Sequence, residues 1–258
     1  MQGLTEFLPI STSAHLSLPS QLFGWPAQGL VVDIALHAGS LIAVVTYFRH
    51  DLGHLFAGLW DWFREGEADV YVRLMAQLVT ATMPIVGLGI VLRDWIEPHP
   101  RSLILIATTT IGFALLLWVA DTRIARSGTS EFELKWRDAL LIGCLQIFAI
   151  VPGTSRSGIT MTAGLLLGMS REATSRFAFL LAIPTILGTT MLGTISAIQS
   201  HLSVVWVDVL IALSISALTS YVSIHYFMKW IERTGMTPYV IYRLLIGAAL
   251  LIMGLYRM

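Results

Sequence analysis

The first residues that could do chemistry are Gln2 and Glu6, in the segment QGLTEFLPISTSAHL at 2–16. They are four residues apart, so a helix places them on one face, where they offer two oxygen ligands to a hard cation. Mg²⁺ takes few protein oxygens and leaves its other positions to water and phosphate. The spacing therefore predicts a site for a divalent cation, Mg²⁺ or Ca²⁺.

A run of hydroxyl groups, Ser11, Thr12 and Ser13, lies between this pair and His15. A hydroxyl beside a histidine and a carboxylate is a typical arrangement for an activated nucleophile. In the alternative interpretation, Ser11 or Thr12 only caps a helix and Glu6 pairs with a basic group. The combination with His15 favours the catalytic interpretation.

The second polar segment, VPGTSRSGIT at 151–160, has the composition of an anion site. Backbone N–H groups at a helix start bind anions, and Arg156 adds a planar fork that matches phosphate oxygens. We expect the residues of this run to contact the anion: Gly153, Thr154, Ser155, Ser157 and Thr160. Glu6 is the expected partner of Arg156 in the resting state, and the alternative is a permanent ion pair that only joins the two halves.

The composition indicates which environment holds these residues. Of the 258 residues, 55% are hydrophobic and 12% are charged, whereas about 25% of a soluble domain is charged. Too little polar surface remains to cover a soluble globule. The balanced charge gives no reason to expect nucleic acid as a partner, and the single Cys144 excludes an internal disulfide. The sequence predicts one integral membrane domain, residues 1–258.

Six runs are long and apolar enough to cross a bilayer as helices: 31–48, 75–92, 102–120, 176–197, 205–227 and 240–256. The apolar segments 1–24 and 139–169 are broken by proline, glycine and hydroxyl residues. Such backbone is tolerated in a membrane only inside protein or along a wet cavity, so we expect two re-entrant hairpins. No basic region precedes the first hairpin, so it is not a cleaved signal peptide, and we expect a longer natural start.

The basic residues predict the sidedness of these crossings. Eleven Lys and Arg residues fall on one side and three, Arg93, Arg101 and Arg257, on the other, which puts the first group in the cytoplasm. The first hairpin then enters from the outer face and the second from the inner face, and three spans follow each. The predicted fold is therefore all-α, an inverted repeat of about 1–120 and 139–258, with a site near the midplane.

Ionisable groups at membrane depth are functional candidates, and this set suits a phosphate or diphosphate whose hydrophobic tail stays in the lipid. Other such groups are less specific. Asp33 and His37, four residues apart, either support the site or make helix-packing hydrogen bonds. Arg176 and Arg243 lie near predicted helix ends, where snorkelling or a carboxylate partner explains them.

The segments 2–16 and 152–160 (PGTSRSGIT) resemble the two signature motifs of the bacitracin-resistance undecaprenyl-diphosphate phosphatases, and the resemblance extends along the chain. It implies hydrolysis of undecaprenyl diphosphate to undecaprenyl phosphate and inorganic phosphate, which recycles the lipid carrier of cell-wall synthesis. It also implies resistance to bacitracin, a divalent cation, the bacterial plasma membrane, and an active site open to the outer face.

The resemblance also implies roles for single residues. Gln2 and Glu6 match the acidic motif of the family, His15 its histidine, and Arg156 the arginine that holds the diphosphate. The matching phosphate-contacting hydroxyls are Ser155, Ser157 and Thr160. The nucleophile of the family is usually serine, and Thr12 stands at that position.

Several alternatives stay open. Ser11 or a metal-bound water is an alternative nucleophile to Thr12, and His15 is expected to act as general base or acid. A lipid flippase or transporter is the main rival function, since inverted repeats recur in carriers, and a structural subunit without a site ranks last. A homodimer is considered as a further assembly.

Overall fold

The computed structural model describes residues 1–24, 29–91, 102–123, 128–200, 202 and 204–256. This part of the chain is helical and contains no β-strand, as the all-α prediction required. Its helices, in chain order, are α1 (Gln2–Thr5), α2 (Thr12–Phe23), α3 (Leu30–Tyr47), α4 (Arg49–Glu65), α5 (Val70–Val91), α6 (Leu103–Arg123), α7 (Trp136–Gln146), α8 (Arg156–Leu166), α9 (Arg171–Gln199), α10 (Trp206–Thr234) and α11 (Thr237–Tyr256). Single 3-10 turns lie at Glu131–Glu133 and Ile147–Ile150.

All six predicted crossings coincide with helices that are long and apolar enough to span a membrane, namely α3, α5, α6, α9, α10 and α11. Helices α5 and α9 begin five residues earlier than predicted, because polar side chains cap their first turns. Asp69 accepts a hydrogen bond from the Val72 N–H at 2.8 Å, and Ser170 accepts one from the Ala173 N–H at 3.1 Å. Hydropathy alone finds the apolar core of a helix and misses such polar first turns.

The two predicted hairpin segments are interrupted where the sequence places the interruptions. Residues 6–11 separate α1 from α2, and residues 147–155 separate α7 from α8. The helices α7 and α8 have 11 residues each, or about 16 Å of rise, roughly half of a hydrocarbon core. In each segment the two helices contact each other, and we keep the name hairpin for each segment, although a re-entrant course stays a prediction. Entry and exit on one side of a membrane, and the inverted repeat, stay predictions.

The second helix of each hairpin begins in the same way. Ser11 caps α2 by accepting from the Ala14 N–H at 3.3 Å, and Ser155 caps α8 by accepting from the Gly158 N–H at 3.2 Å. Each cap hydroxyl also contacts the hydroxyl two residues later, Ser11 with Ser13 at 3.0 Å and Ser155 with Ser157 at 3.3 Å. The expectation that Ser11 caps a helix is therefore confirmed.

The spanning helices pack around these hairpins in pairs. α3 lies along α10, α6 lies along α11, and α9 contacts both α3 and α5. At the α3–α10 contact, the Ser40 hydroxyl lies 3.1 Å from that of Ser216 and 3.0 Å from that of Ser220. Gly39 permits this approach, because a Cβ there would overlap the Leu213 carbonyl oxygen and lie 2.9 Å from Cβ of Ser216. Small residues serve the same purpose between membrane helices generally.

The segment 49–74, expected only as a cytoplasmic connection, contains the amphipathic helix α4. Phe56, Trp60 and Phe63 are exposed on it, while Asp51 forms an ion pair with Arg176 of α9. Arg176 also binds Glu131 at 2.8 Å. The predicted carboxylate partner of Arg176 is thus confirmed, and the pairs fix α4 and the 3-10 turn to the start of α9.

Replacing Gly39 with alanine should destabilise the protein by about 1–3 kcal/mol, because the added methyl group overpacks the α3–α10 contact. Thermal unfolding in detergent measures the effect. Gly112→Ala on α6 is the matched control, since a Cβ there meets no atom within 4 Å and alanine favours a helix. Equal unfolding temperatures for the two variants would contradict this packing.

Candidate active site at the hairpin tips

The two interruptions, residues 6–11 and 147–155, are the tips of the hairpins, and they meet in the structure. The Gly153 N–H of the second hairpin donates to Ser13 Oγ of the first at 2.8 Å. In the opposite direction, the Ser157 hydroxyl donates to the Leu8 carbonyl at 2.8 Å. The chain therefore brings together two polar segments that are far apart in the sequence, and each supplies a hydroxyl to the backbone of the other.

Glu6 and Arg156 form an ion pair across this junction. Nη2 of Arg156 lies 3.0 Å from Oε1 of Glu6, and both side chains are nearly buried, with 13% and 12% exposed. The other carboxylate oxygen of Glu6, Oε2, accepts a hydrogen bond from Nε2 of Gln2 at 2.8 Å. The predicted pairing of Gln2 with Glu6 on one helix face is present, and so is the predicted resting partner of Arg156.

His37 of α3 joins this group, although the sequence ranked it low. Its Nδ1 lies 2.8 Å from the Asp33 carbonyl oxygen, which only accepts, so Nδ1 carries the proton. Nε2 of His37 lies 3.3 Å from Nε2 of Gln2, an amide nitrogen that only donates, so Nε2 of His37 is the acceptor of this contact. The Gln2 amide therefore donates to Glu6 and to His37 together. The four-residue spacing of Asp33 and His37 indicates that the two residues are neighbours on one helix face. The contact with His37 comes from the backbone carbonyl of Asp33, which the spacing does not reveal.

A cavity of about 580 Å³ opens beside this group. Its ionisable lining residues are Glu6, His37 and Arg156. The rest of its wall is mostly apolar and comes from α5, the second hairpin and α9: Ile85, Val86, Gly89, Ala149, Ile150, Thr185, Ile186, Gly188, Thr189, Met191, Leu192 and Ile195. The cavity thus has a charged end and a long apolar side.

His15 lines a different cavity. Its Nδ1 lies 2.6 Å from the Ser11 carbonyl, so this nitrogen is the donor, and Nε2 accepts from the Tyr242 hydroxyl at 2.8 Å. The two rings stack with centroids 5.4 Å apart. Both side chains face a space of about 480 Å³ that Glu6 and Arg156 do not line. His15 therefore does not line the cavity of about 580 Å³ that Glu6 and Arg156 line. Its catalytic role stays a prediction.

The predicted hydroxyl groups differ in how they are engaged. Thr12 is the first residue of α2, and within the described residues its hydroxyl has no hydrogen-bond partner. Thr160 donates to its own helix, at 2.9 Å to the Arg156 carbonyl, and Oγ1 of Thr154 is buried without a partner. Ser155 caps α8, and Ser157 donates to the Leu8 carbonyl. Contact of Thr154, Ser155, Ser157 and Thr160 with an anion stays a prediction.

Arg243 of α11 neither snorkels nor pairs with a carboxylate in the described part of the chain, contrary to the prediction from its sequence position. Only 1% of it is exposed, so it does not snorkel to a membrane surface. Nη2 donates to the carbonyls of Gly153 at 3.1 Å and Thr154 at 2.9 Å, and Nη1 donates to that of Pro9 at 3.4 Å. A position near a helix end gives no sign that a side chain turns inward, and only the packing shows it.

Among the described residues, no cluster of three or more His, Cys, Asp and Glu side chains is arranged to hold a metal ion. Glu6 and His37 nevertheless line the cavity end, and the Gln2 amide contacts both of them through its nitrogen. This small donor set fits an ion that keeps most of its positions for water and phosphate.

Comparison with known proteins identifies the family. Residues 1–249 match the family described as bacitracin resistance protein BacA. The chain belongs to this family. An undecaprenyl-diphosphatase of Alteromonas mediterranea is 46% identical to the chain over 254 residues, which cover 97% of this chain and 94% of the relative. The resemblance noted in the two motifs of this BacA-family protein is therefore confirmed, and it extends over nearly the whole chain.

Gly153→Ala should destabilise the junction of the two tips. The φ angle of Gly153 is +96°, and a Cβ would overlap the Thr109 hydroxyl and lie 2.5 Å from the Ile106 carbonyl. We expect a loss of about 1–3 kcal/mol in unfolding free energy. Gly168→Ala is the matched control, with a φ of +89° and no atom within 4 Å of a Cβ. A loss no larger in Gly153→Ala than in the control would mean that the tips do not pack as described.

Proposed function

We propose that this protein dephosphorylates undecaprenyl diphosphate at the hairpin tips, with Glu6 and Arg156 at the reacting end. The activity follows from its family and from its undecaprenyl-diphosphatase relative. The chain is a multi-pass membrane hydrolase that converts undecaprenyl diphosphate into undecaprenyl phosphate and inorganic phosphate. This reaction recycles the lipid carrier of cell-wall synthesis and underlies bacitracin resistance.

The observation that carries the placement is the ion pair at the end of an apolar cavity. A carboxylate and a guanidinium at membrane depth are costly, so their retention there calls for a ligand of matching charge. A diphosphate fits the charged end, and the first units of a prenyl tail fit the wall of α9. From Thr185 to Ile195 this wall rises about 15 Å along the helix. A soluble phosphate ester would make no use of it.

Arg156 is the residue that we expect to change partner on substrate binding. It pairs with Glu6 in the resting structure, and its planar fork suits two phosphate oxygens equally well. It is also the first residue of α8, so the unpaired N–H groups of that helix start lie beside it. Positive charge fixed in this way stabilises the phosphoryl group during transfer, which is the main contribution in such reactions.

Thr12 is the proposed nucleophile. Its oxygen would attack the terminal phosphorus, the bridging P–O bond would break, and undecaprenyl phosphate would leave. Water would then release phosphate from Thr12. Ser11 is less suited because its hydroxyl caps α2, and direct attack by water is the remaining alternative.

His15 is proposed as general base or acid, as the family motif implies. Its acceptor nitrogen is bonded to Tyr242 in the resting structure, so this contact must open before the ring takes a proton from the reacting groups. His37 already lines the cavity and is the second candidate for that role.

We propose Mg²⁺ or Ca²⁺ as the cofactor, held by Glu6 with help from Gln2. The bound ion would offset part of the negative charge of the diphosphate. In the resting structure the Gln2 NH2 group donates to the second carboxylate oxygen of Glu6, so the amide would have to turn for its oxygen to bind the ion beside that carboxylate.

We also propose that the site opens to the outer face of the bacterial plasma membrane. Helices α5 and α9 both begin on the side rich in Lys and Arg, and the cavity wall uses their later residues, 85–89 and 185–195. The cavity therefore lies toward the side predicted to be outside. The equal caps at Ser11 and Ser155 support the inverted repeat, and a homodimer stays a prediction.

Glu6→Ala and Arg156→Ala should each lower phosphate release from a C55 diphosphate by about 100-fold or more, since each removes a charge that acts in the transition state. The assay uses purified protein in detergent. There, phosphate release also separates hydrolysis from lipid flipping, which breaks no bond. Near wild-type turnover in either variant would contradict the placement of the site.

The double variant Glu6→Ala/Arg156→Ala is the control for a purely structural ion pair. If the pair only joins the hairpins, removing both charges relieves the unpaired charge left by each single change, and turnover should recover. We expect the unfolding temperature to recover in the double variant while turnover stays low.

Gln2→Glu should increase the apparent affinity for the activating cation, because a second carboxylate replaces a neutral amide. The half-saturating concentrations of Mg²⁺ and Ca²⁺ are measured after removal of metal with a chelator. We expect these concentrations to decrease by about tenfold or less, in line with one added charge beside Glu6. Full activity of the chelator-treated wild type would rule out the cation.

A further inference from the structure

Arg243 contacts both hairpin tips at once. Through Pro9 it holds the first interruption, and through Gly153 and Thr154 it holds the second. It is also the largest side chain among those fully buried in the described part of the protein. Arg243 takes part in none of the proposed catalytic steps.

The charge of Arg243 has no acidic partner. The ion pairs found in residues 1–24, 29–91, 102–123, 128–200 and 204–256 join carboxylates to Arg156, Arg171 and Arg176 and do not include Arg243. Three carbonyl oxygens face its guanidinium, and its Nε is buried without a hydrogen-bond partner. Burying a cation in this way is unfavourable, so the charge calls for an explanation.

Holding the second tip does not require a charge. On the neighbouring helix α6, the Thr109 hydroxyl donates to the Pro152 carbonyl at 2.6 Å and the Thr110 hydroxyl donates to the Gly153 carbonyl at 3.2 Å. These neutral donors bind the same stretch of backbone as Arg243. The guanidinium of Arg243 adds to these neutral donors a positive charge, which an anion bound nearby would stabilise.

The guanidinium lies under the first turn of α8. A Cβ at Gly158 would be 2.8 Å from Nη1 of Arg243, and Gly158 is two residues after Arg156. At rest, Glu6 and Arg156 neutralise each other, so Arg243 leaves the junction with one positive charge. The start of α8 adds the partial positive charge of a helix N-terminus.

We infer that Arg243 is a positioning residue that aligns the two tips and also supplies the positive charge that attracts the phosphate group to them. This inference rests on the proposed function, because it takes the tips as the phosphate site. The guanidinium fork fixes the alignment, and the charge increases the affinity for phosphate, so the two contributions are separable by substitution.

The test compares Arg243→Lys, which keeps the charge and loses the fork, with Arg243→Met, which loses both. Binding of inorganic phosphate is titrated by ³¹P NMR without turnover, and kcat and KM are measured on a C55 diphosphate. For Arg243→Met we expect phosphate affinity to fall by about tenfold, as for the loss of one nearby charge, and kcat to fall as well. Arg243→Lys should keep the phosphate affinity within about twofold and still lose kcat, because a single ammonium cannot bridge both tips.

Thr110→Val is the matched control, since it removes a neutral donor to the same Gly153 carbonyl. It should lower the unfolding temperature without changing phosphate affinity. If Arg243→Met does not fold, Arg243→Gln carries the same comparison. Wild-type phosphate affinity in a folded, uncharged variant overturns the inference, even where the wild type hydrolyses the diphosphate. Wild-type protein that binds phosphate but releases none from the diphosphate contradicts the proposed function instead.

Discussion

A charged pair inside an apolar protein is the constraint on which the structure depends. Glu6 and Arg156 are 150 residues apart in the sequence, and neither is tolerated alone at membrane depth. Each stands beside an interruption of a helix, so the interruptions must meet for the charges to pair. The spans that pack around the hairpins, with their small contact residues such as Gly39, make that meeting possible.

Bringing two interruptions together creates a second requirement, because each releases backbone groups that no water is at hand to satisfy. The protein meets it with side chains from four elements. Ser13 and Ser157 bind the backbone of the opposite hairpin, while Thr109, Thr110 and Arg243 bind the carbonyls of the second one. Several polar groups that the sequence predicts as ligands of an anion therefore hold the two tips together in the resting structure.

The two tips have the same local construction and different chemistry. Thr12 and Arg156 each follow a serine cap as the first residue of a helix. One is the proposed nucleophile and the other the proposed phosphate-binding cation. The two histidines also differ in their surroundings. His15 of the first hairpin bonds Tyr242, whereas His37 of the spanning helix α3 contacts Gln2 and lines the cavity beside the ion pair.

The sequence by itself determined the elements and the chemistry of the tips. Composition and run length found all six spanning helices, because burial in lipid acts on every residue of a span. The motifs pointed to Glu6 and Arg156, because proline, glycine and charge within apolar runs are locally visible. The tertiary structure alone decided the direction of single side chains. His37 turned toward the site, His15 toward Tyr242, and Arg243 inward beneath α8, since each orientation depends on neighbours that are distant in the chain and leave no local pattern.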